Sequence, residues 1–331
     1  MNLNYSIESL DWLEGYWREN RDEISWEPLF VIPPWLKVWQ RNFSPVSEAR
    51  IFVTKQHESV TGIAPLLIKN DTAALIGSPD VCDYVDFIVT PGQETEFFHS
   101  LFDYLKNAGV SALEPGTFRL DSPRMSRLTA LALEQGYDTE CQMDEFSLEK
   151  DLPGTWDEYL QSLDAKQRHE VRRKLRRLEE AGKISYKYVT DKTAVPGFLE
   201  IFLKMFVASR NAKAIFLTDQ MERYFRDLAL TMVEEGLLRG GILELDSAPV
   251  ASVFAFDYNG TVYLYNSGFD PAKSQLSVGI LSKALLIKDS IERGRKKFSF
   301  LKGEERYKYH LGGKEVPLQK CRIVMRERVL S

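Results

Sequence analysis

The sequence predicts a mixed α/β protein built from two similar domains, on three observations. Apolar residues switch repeatedly between the strand period of two and the helix period of 3.6. The two halves repeat one order of elements, each with a hairpin of small apolar strands, then a strand, a long helix, a strand and a helix. At 331 residues, 44% of them hydrophobic, the chain has material for two ordinary cores.

The elements follow in order. Up to Pro45 the chain reads as two amphipathic helices around a proline turn, crowded with Trp12, Trp17, Trp26, Trp35 and Trp39. Strand-like runs follow at Ala49 to Thr54, Val60 to Ile68, Ala73 to Ile76 and Tyr84 to Val89. Helices at Thr95 to Asn107 and Arg124 to Gln135 flank a strand at Leu113 to Leu120, and a strand at Glu140 to Leu148 closes the half. Glu149 to Gly154 is polar and ends in Pro-Gly, so it reads as a linker dividing domains 1–150 and 151–331.

The second half opens with a basic helical hairpin over 155–182, closed by Gly182. After a strand at Ile184 to Val189 come helices at Val195 to Ser209 and Asp219 to Glu235. Three strands, Leu237 to Leu245, Pro249 to Tyr258 and Thr261 to Gly268, are joined by Asp246-Ser247-Ala248 and by Asn259-Gly260, the stronger hairpin signal. A helix from Ser277 to Arg293, a strand at Lys297 to Leu301, a short helix at Glu304 to Leu311 and a strand at Val316 to Met325 complete the chain.

Composition excludes several classes. A net charge of −5 gives no bulk attraction to nucleic acid or anionic membrane. Cys82, Cys141 and Cys321 are far apart, fit no zinc spacing, and read as buried reduced thiols. The four histidines are scattered, so no metal is expected, and no GxSxG, P-loop or GxGxxG motif occurs. No apolar run is long enough to span a membrane, and the start lacks a basic, then apolar, leader pattern. Asn42-Phe43-Ser44 fits a glycosylation site but precedes Pro45 and has no secretory context. The expected location is the cytoplasm.

One segment points to chemistry. Tyr263 to Pro271 is a strand entering a loop, and Ser277-Val278-Gly279-Ile280-Leu281 opens a helix. Free N–H groups and the helix dipole favour an anion at such a start. Gly279 lacks the Cβ that would block a phosphate; equally, Ser277 reads as a plain N-cap and Gly279 as a packing glycine. The helix from Lys166 to Leu178 is the one strong basic cluster, with Val171, Leu175 and Leu178 forming its packing stripe. It reads as a solvated helix, as a guide for an anionic donor or acceptor, or as an RNA-binding face.

The element order over 237 to 325 resembles the GNAT acetyltransferase core. The whole chain resembles its BioF2-like or CelD-type branch, related to the FemABX peptidyltransferases. The residues that carry this are Pro28-Leu29-Phe30, Pro34-Trp35, Trp39, Asp83-Tyr84-Val85-Asp86, Trp156 to Leu160, Arg168 to Leu178, Ser277 to Leu281 and Phe300 to Lys308. The family's usual loop is Gln/Arg-x-x-Gly-x-Gly/Ala, whereas Gln275 to Ile280 has one glycine. The resemblance implies two GNAT-like domains in tandem, with acetyl-CoA or another acyl-CoA as co-substrate. Its pyrophosphate would lie on Ser277, Val278, Gly279, Ile280 and Leu281. Its pantetheine arm would run along the strand at Tyr263, Tyr265 and Asn266.

The resemblance further implies Tyr307 as general acid for the departing thiolate and Lys308 as a stabiliser of developing negative charge. Asp83, Tyr84 and Asp86 sit where a turn enters a strand. With Arg210 and Asn211 they would receive the acceptor, with Asp86, Glu304 and Glu305 as candidate bases. The expected reaction is N-acylation of a small-molecule, sugar or peptide amine by direct attack. Two rivals stand beside it: an aminoacyl-tRNA-dependent peptidyltransferase, and a non-catalytic GNAT-fold scaffold in polysaccharide assembly.

Overall fold

The computed structural model describes residues 4–21, 24–43, 49–77, 79–209 and 211–325. The chain divides into two compact units, one running to Phe146 and resuming at Val316, the other Ser147–Glu315. In chain order the first part contains β1 (Asn4–Glu8), α1 (Leu10–Glu19), α2 (Pro33–Phe43), β2 (Ala49–Gln56), β3 (Ser59–Lys69), β4 (Thr72–Leu75), β5 (Ile88–Val89), α3 (Glu94–Asn107), β6 (Ala112–Leu113), β7 (Thr117–Arg119), α4 (Pro123–Glu134) and β8 (Asp138–Asp151). Next come α5 (Trp156–Ser162), α6 (Ala165–Ala181), β9 (Ile184–Tyr188), α7 (Val195–Ser209), α8 (Asn211–Phe216), α9 (Asp219–Glu234), β10 (Gly241–Leu245), β11 (Ala248–Tyr258), β12 (Thr261–Phe269), α10 (Val278–Glu292), β13 (Lys297–Lys302), α11 (Arg306–His310) and β14 (Lys314–Val324).

Local sequence explains most of these limits. Ser9, Ser122, Thr155, Asp164 and Thr218 each accept an N-terminal amide bond as N-caps. At Thr155 the reciprocal bond from Glu158 completes a capping box. Asn259 and Gly260 both take positive φ, 47° and 71°, which makes the tight β11–β12 hairpin the dipeptide predicts.

In unit 1 the strand order is β1-β2-β3-β4-β6-β14-β8, with β5 on β3 and β7 on β14. The hairpins β2–β3 and β3–β4 are antiparallel, while β4 and β6 are parallel. Trp17, Trp26 and Trp35 are among the largest fully buried side chains. In unit 2, residues 147–151 of β8 pair with β13, and the order continues β13-β12-β11-β10-β9. Here β9, β10, β11 and β12 run antiparallel, and β12 meets β13 in parallel. A core of Leu178, Leu243, Leu245, Val250, Ala251, Val278 and Leu281 packs α6 and α10 on this sheet. The stripe of the basic helix does turn inward: Val171 and Leu178 are buried and Leu175 packs against the core.

Four expectations change. Glu149 to Asp151 is the end of β8, in register with Ser299 to Lys297, and not a linker; strand pairing overrides its polar composition. The last strand, expected in the second domain, pairs antiparallel with β6 and β7 and belongs to unit 1. Tyr84 to Phe87 is not strand: Phe87 N is taken by the Asp86 side chain and Val85 N by the lone Thr117 carbonyl, so no ladder forms there and only Ile88–Val89 pairs, with β3. Cys141 and Cys321 form a disulfide across β8 and β14, with Cα atoms 4.1 Å apart. The return of β14 creates this pairing, and only Cys82 remains a buried free thiol. A strand, β1, also precedes the first helix and pairs with β2.

Candidate active site

In unit 2 the strands β12 and β13 start side by side and then part. Their parallel pairing covers Thr261, Val262 and Tyr263 against Lys297, Phe298 and Ser299. Beyond Tyr263, the β13-facing edge of β12 has no strand partner among the described residues. Each strand is irregular at the parting. Phe254 faces Asn266 and Ala255 faces Leu264, so Tyr265 is an extra, bulged residue. On β13 the register to β8 slips between Ser299 and Leu301, and Leu301 takes a φ of 61°. A non-glycine residue held there is strained, and such strain persists only where neighbours fix it.

Lys308 supplies that fixing. It is buried on α11, and its Nζ donates to the Leu301 carbonyl at 3.1 Å and the Lys302 carbonyl at 2.5 Å. It also pairs with Glu305 at 3.0 Å. The ring of Tyr307, next on the same turn, lies edge-on to Phe300 and 4.8 Å from Lys283 Nζ.

The connection from β12 to α10 is tightly built. Asp270 caps Ala272 N, and Ser277 N donates to the Ser274 carbonyl. Ser277 is left-handed, with φ 59° and ψ 30°, and makes no side-chain cap bond. Ile280 N and Leu281 N return to the Ser277 carbonyl, leaving the amides of Val278 and Gly279 at the open end of the helix. No acid lies in this first turn, so nothing there opposes an anion. Arg177 of α6 donates to the Gln275 carbonyl, which places one residue of the basic helix against this loop.

Gly279 has a packing role. A Cβ there would lie 2.8 Å from Phe269 Cδ1, so the missing side chain lets β12 close on α10. Val278 and Leu281 are core residues; Ile280 is half-buried. The Tyr265 ring lies edge-on to Phe225 and Phe254 and tilted against Phe256, with centroids 5.6–6.2 Å apart.

Thus Tyr265, Asn266, Ser277 to Leu281, Tyr307 and Lys308 all lie in unit 2. Asp83, Tyr84 and Asp86 lie in unit 1. Tyr84 is buried edge-on to Phe30. Asp86 accepts from Ser122 Oγ at 2.7 Å, Arg124 Nη2 at 2.8 Å and Phe87 N at 2.8 Å. Burial pushes its carboxyl above the usual range, against the opposing pull of Arg124. Its oxygens are engaged in holding the start of α4, which is a structural post and not that of a free base. Glu304 is exposed and Glu305 is paired with Lys308. Arg210 lies outside the described residues, as does the side chain of Asn211.

Sequence reasoning missed two lysines. Lys283 is buried on α10, with Nζ 2.6 Å from the Gly279 carbonyl. Its signal was available: a lone cation within the apolar run of α10, four residues after Gly279. Lys213 of α8 donates to the Ser267 carbonyl of β12; nothing in the run Ala212 to Phe216 marks it in the sequence.

Residues 165–309 match the family described as acetyltransferase (GNAT) domain, Acetyltransf_6, a span inside unit 2. No curated protein sequence matches the chain. Solved structures share its fold at low identity. A FemX crystal structure aligns with TM-score 0.67 and 12% identity, over 96% of this chain and 97% of that one. The L-PGS of Bacillus licheniformis gives 0.53 and 11%, over 89% and 92%. A tandem GNAT protein from the clavulanic acid biosynthesis pathway gives 0.50 and 12%, over 97% and 98%. Parted strands, a bulge at the parting and an acid-free helix start therefore sit inside a GNAT acetyltransferase domain of the BioF2-like family, in a mixed α/β chain that resembles FemX and tandem GNAT structures.

Proposed function

We propose that the chain is an N-acyltransferase that moves an acyl group from an acyl-CoA, acetyl-CoA or longer, to an amine acceptor by direct attack. The observation that carries this is the wedge between β12 and β13 leading to the open, acid-free start of α10 within the matched domain. The exposed backbone edge of β12 would hold the donor's amide-rich arm, as an added strand is held. The amides of Val278 and Gly279 would receive the pyrophosphate. The bulge at Tyr265 and Asn266 would turn a backbone donor toward the thioester carbonyl.

The chemistry then needs little from side chains. The neutral amine attacks the carbonyl carbon, the C–S bond breaks, the thiolate takes a proton from the Tyr307 hydroxyl, the new ammonium loses one to solvent, and solvent returns a proton to Tyr307. Lys308 acts through Leu301 and Lys302: it fixes the bulged end of β13 that forms the second wall. Lys283 positions Tyr307 by lying against its ring.

Calorimetric titration with acetyl-CoA and longer acyl-CoAs tests the reading. Ser277→Asp is the control, because an N-cap aspartate suits the helix yet repels a phosphate. Saturable binding that weakens about tenfold in that variant supports the proposal. Absence of binding to folded wild-type protein rejects it; salt-sensitive binding of aminoacyl-tRNA would then favour a donor guided by the basic helix α6. Binding of neither leaves the scaffold reading.

A further inference from the structure

Unit 1 holds a cavity of about 640 Å³, and none of its lining residues belongs to the donor site proposed in unit 2. Its walls include Glu114, Glu140, Lys320 and Arg322, and both cysteines of the Cys141–Cys321 bridge. The two sulfurs are not equivalent. Cys141 is exposed, whereas Cys321 is only 5% exposed. The chain neighbours of Cys321 are both cations, Lys320 held by Asp144 at 2.8 Å and Arg322 held by Glu114 at 3.0 Å. Cys141 instead follows Glu140 and precedes neutral Gln142.

That asymmetry dictates a direction of exchange. An attacking thiolate must reach a sulfur, and the other sulfur must leave as an anion. The exposed Cys141 is the sulfur an incoming thiolate can reach, which leaves the buried Cys321 as the departing sulfur. The space is enough for a compact thiol and its polar tail.

We propose that this cavity is a covalent exchange site for a low-molecular-weight thiol. The thiolate attacks Cys141 Sγ, forming a mixed disulfide, while the Cys141–Cys321 bond breaks and its electron pair leaves on Cys321 Sγ. Attack by a second thiolate on the added sulfur frees Cys141 and releases the small disulfide. Two thiols are thereby oxidised and the protein is reduced to the dithiol, with β8 and β14 no longer cross-linked. This inference is independent of acyl transfer.

The test uses the full chain, oxidised with diamide, and 2-mercaptoethanol against a thiol of matched pKa carried on a large polymer. Acid quenching, alkylation and peptide mapping locate the adduct. The expected result is an adduct on Cys141, alkylation of Cys321, and reaction with the small thiol faster by about tenfold or more. Cys82, buried with Trp35 Nε1 3.2 Å from its sulfur, should stay unmodified and serves as the internal control. In Cys321→Ser, Cys141 should still take the adduct from the small thiol's own disulfide, which keeps the test open should the bridge matter for stability. An adduct on Cys321, equal rates for the two thiols, or free alkylation of both cysteines after diamide would overturn the proposal.

Discussion

Unit 1 and unit 2 each set two parallel strands side by side for a short stretch and follow the first strand with a long helix. In unit 2 the pair β12 and β13 leads directly through a short turn to α10, whose first turn has no acid. In unit 1 the pair β4 and β6 is matched only at Thr72 with Ala112 and Ala73 with Leu113. The chain from β4 then buries Tyr84, Val85, Asp86 and Phe87 before it reaches α3, whose first turn carries Glu94 and Glu96. The same backbone plan thus ends in opposite fields: one helix start invites an anion and the other repels it. Strand order alone does not assign the donor side; the proposed function places it in unit 2 on the acid-free start of α10.

The largest way to break the comparison is to attack the post that fixes the unit 1 connection. Asp86→Ala strands the Arg124 guanidinium, which is 15% exposed, and should cost about 3–5 kcal/mol in denaturant unfolding. A loss below about 1 kcal/mol would return Asp86 to the candidate bases. The pH sign follows from burial. The folded carboxyl is held above its ordinary value, so the fold binds more protons than the unfolded chain between the two values. Stability from this group therefore falls as pH rises from the ordinary aspartate range to the raised value. Asp86→Asn should flatten that part of the stability profile.

In unit 2, Tyr307→Phe should lower kcat about a hundredfold with donor affinity kept, if its hydroxyl protonates the leaving thiolate. An unchanged rate across pH would assign the proton elsewhere. Gly279→Ala sets a helix gain of about 1 kcal/mol against an overpacking cost of about 1–3 kcal/mol at Phe269. The net loss should be about 1 kcal/mol and should vanish when Phe269→Leu makes room. A donor-affinity loss that survives this repacking would show that the glycine also faces the phosphate. Ser277→Asp should weaken donor binding about tenfold with unchanged stability, and the smallest effect is expected in unit 1, where Glu94→Gln with Glu96→Gln leaves donor binding as it was.

How much of this could be read in the sequence depended on range. Local signals were reliable: the Asn259-Gly260 hairpin, the stripe of Val171, Leu175 and Leu178, and the start of α10 at Val278 all rest on neighbouring residues. Pairings between distant segments were not legible. Nothing near Glu149 to Asp151 announces the partner strand that makes this polar run β8, and nothing near Cys141 points to Cys321, 180 positions away. The site followed the same rule. Its helix start and strand were visible as a local pattern, and the role of Gly279 was narrowed only by the ring of Phe269 arriving from β12. Asp86 looked like free chemistry because its partners, Ser122 and Arg124, lie far along the chain.

The return of β14 to unit 1 has a consequence for how the molecule is made. On the ribosome, the first unit to emerge cannot be finished until the last strand has been synthesised, because β6 and β7 wait for it as their neighbour. Unit 2, a continuous stretch of chain, can close beforehand. The N-terminal half must therefore remain an incomplete sheet through the translation of everything between, with the strand edge that later receives β14 open to wrong partners. Chaperone demand during synthesis should fall on the half that was made first, and a circular permutant that moves β14 ahead of β1 should relieve it.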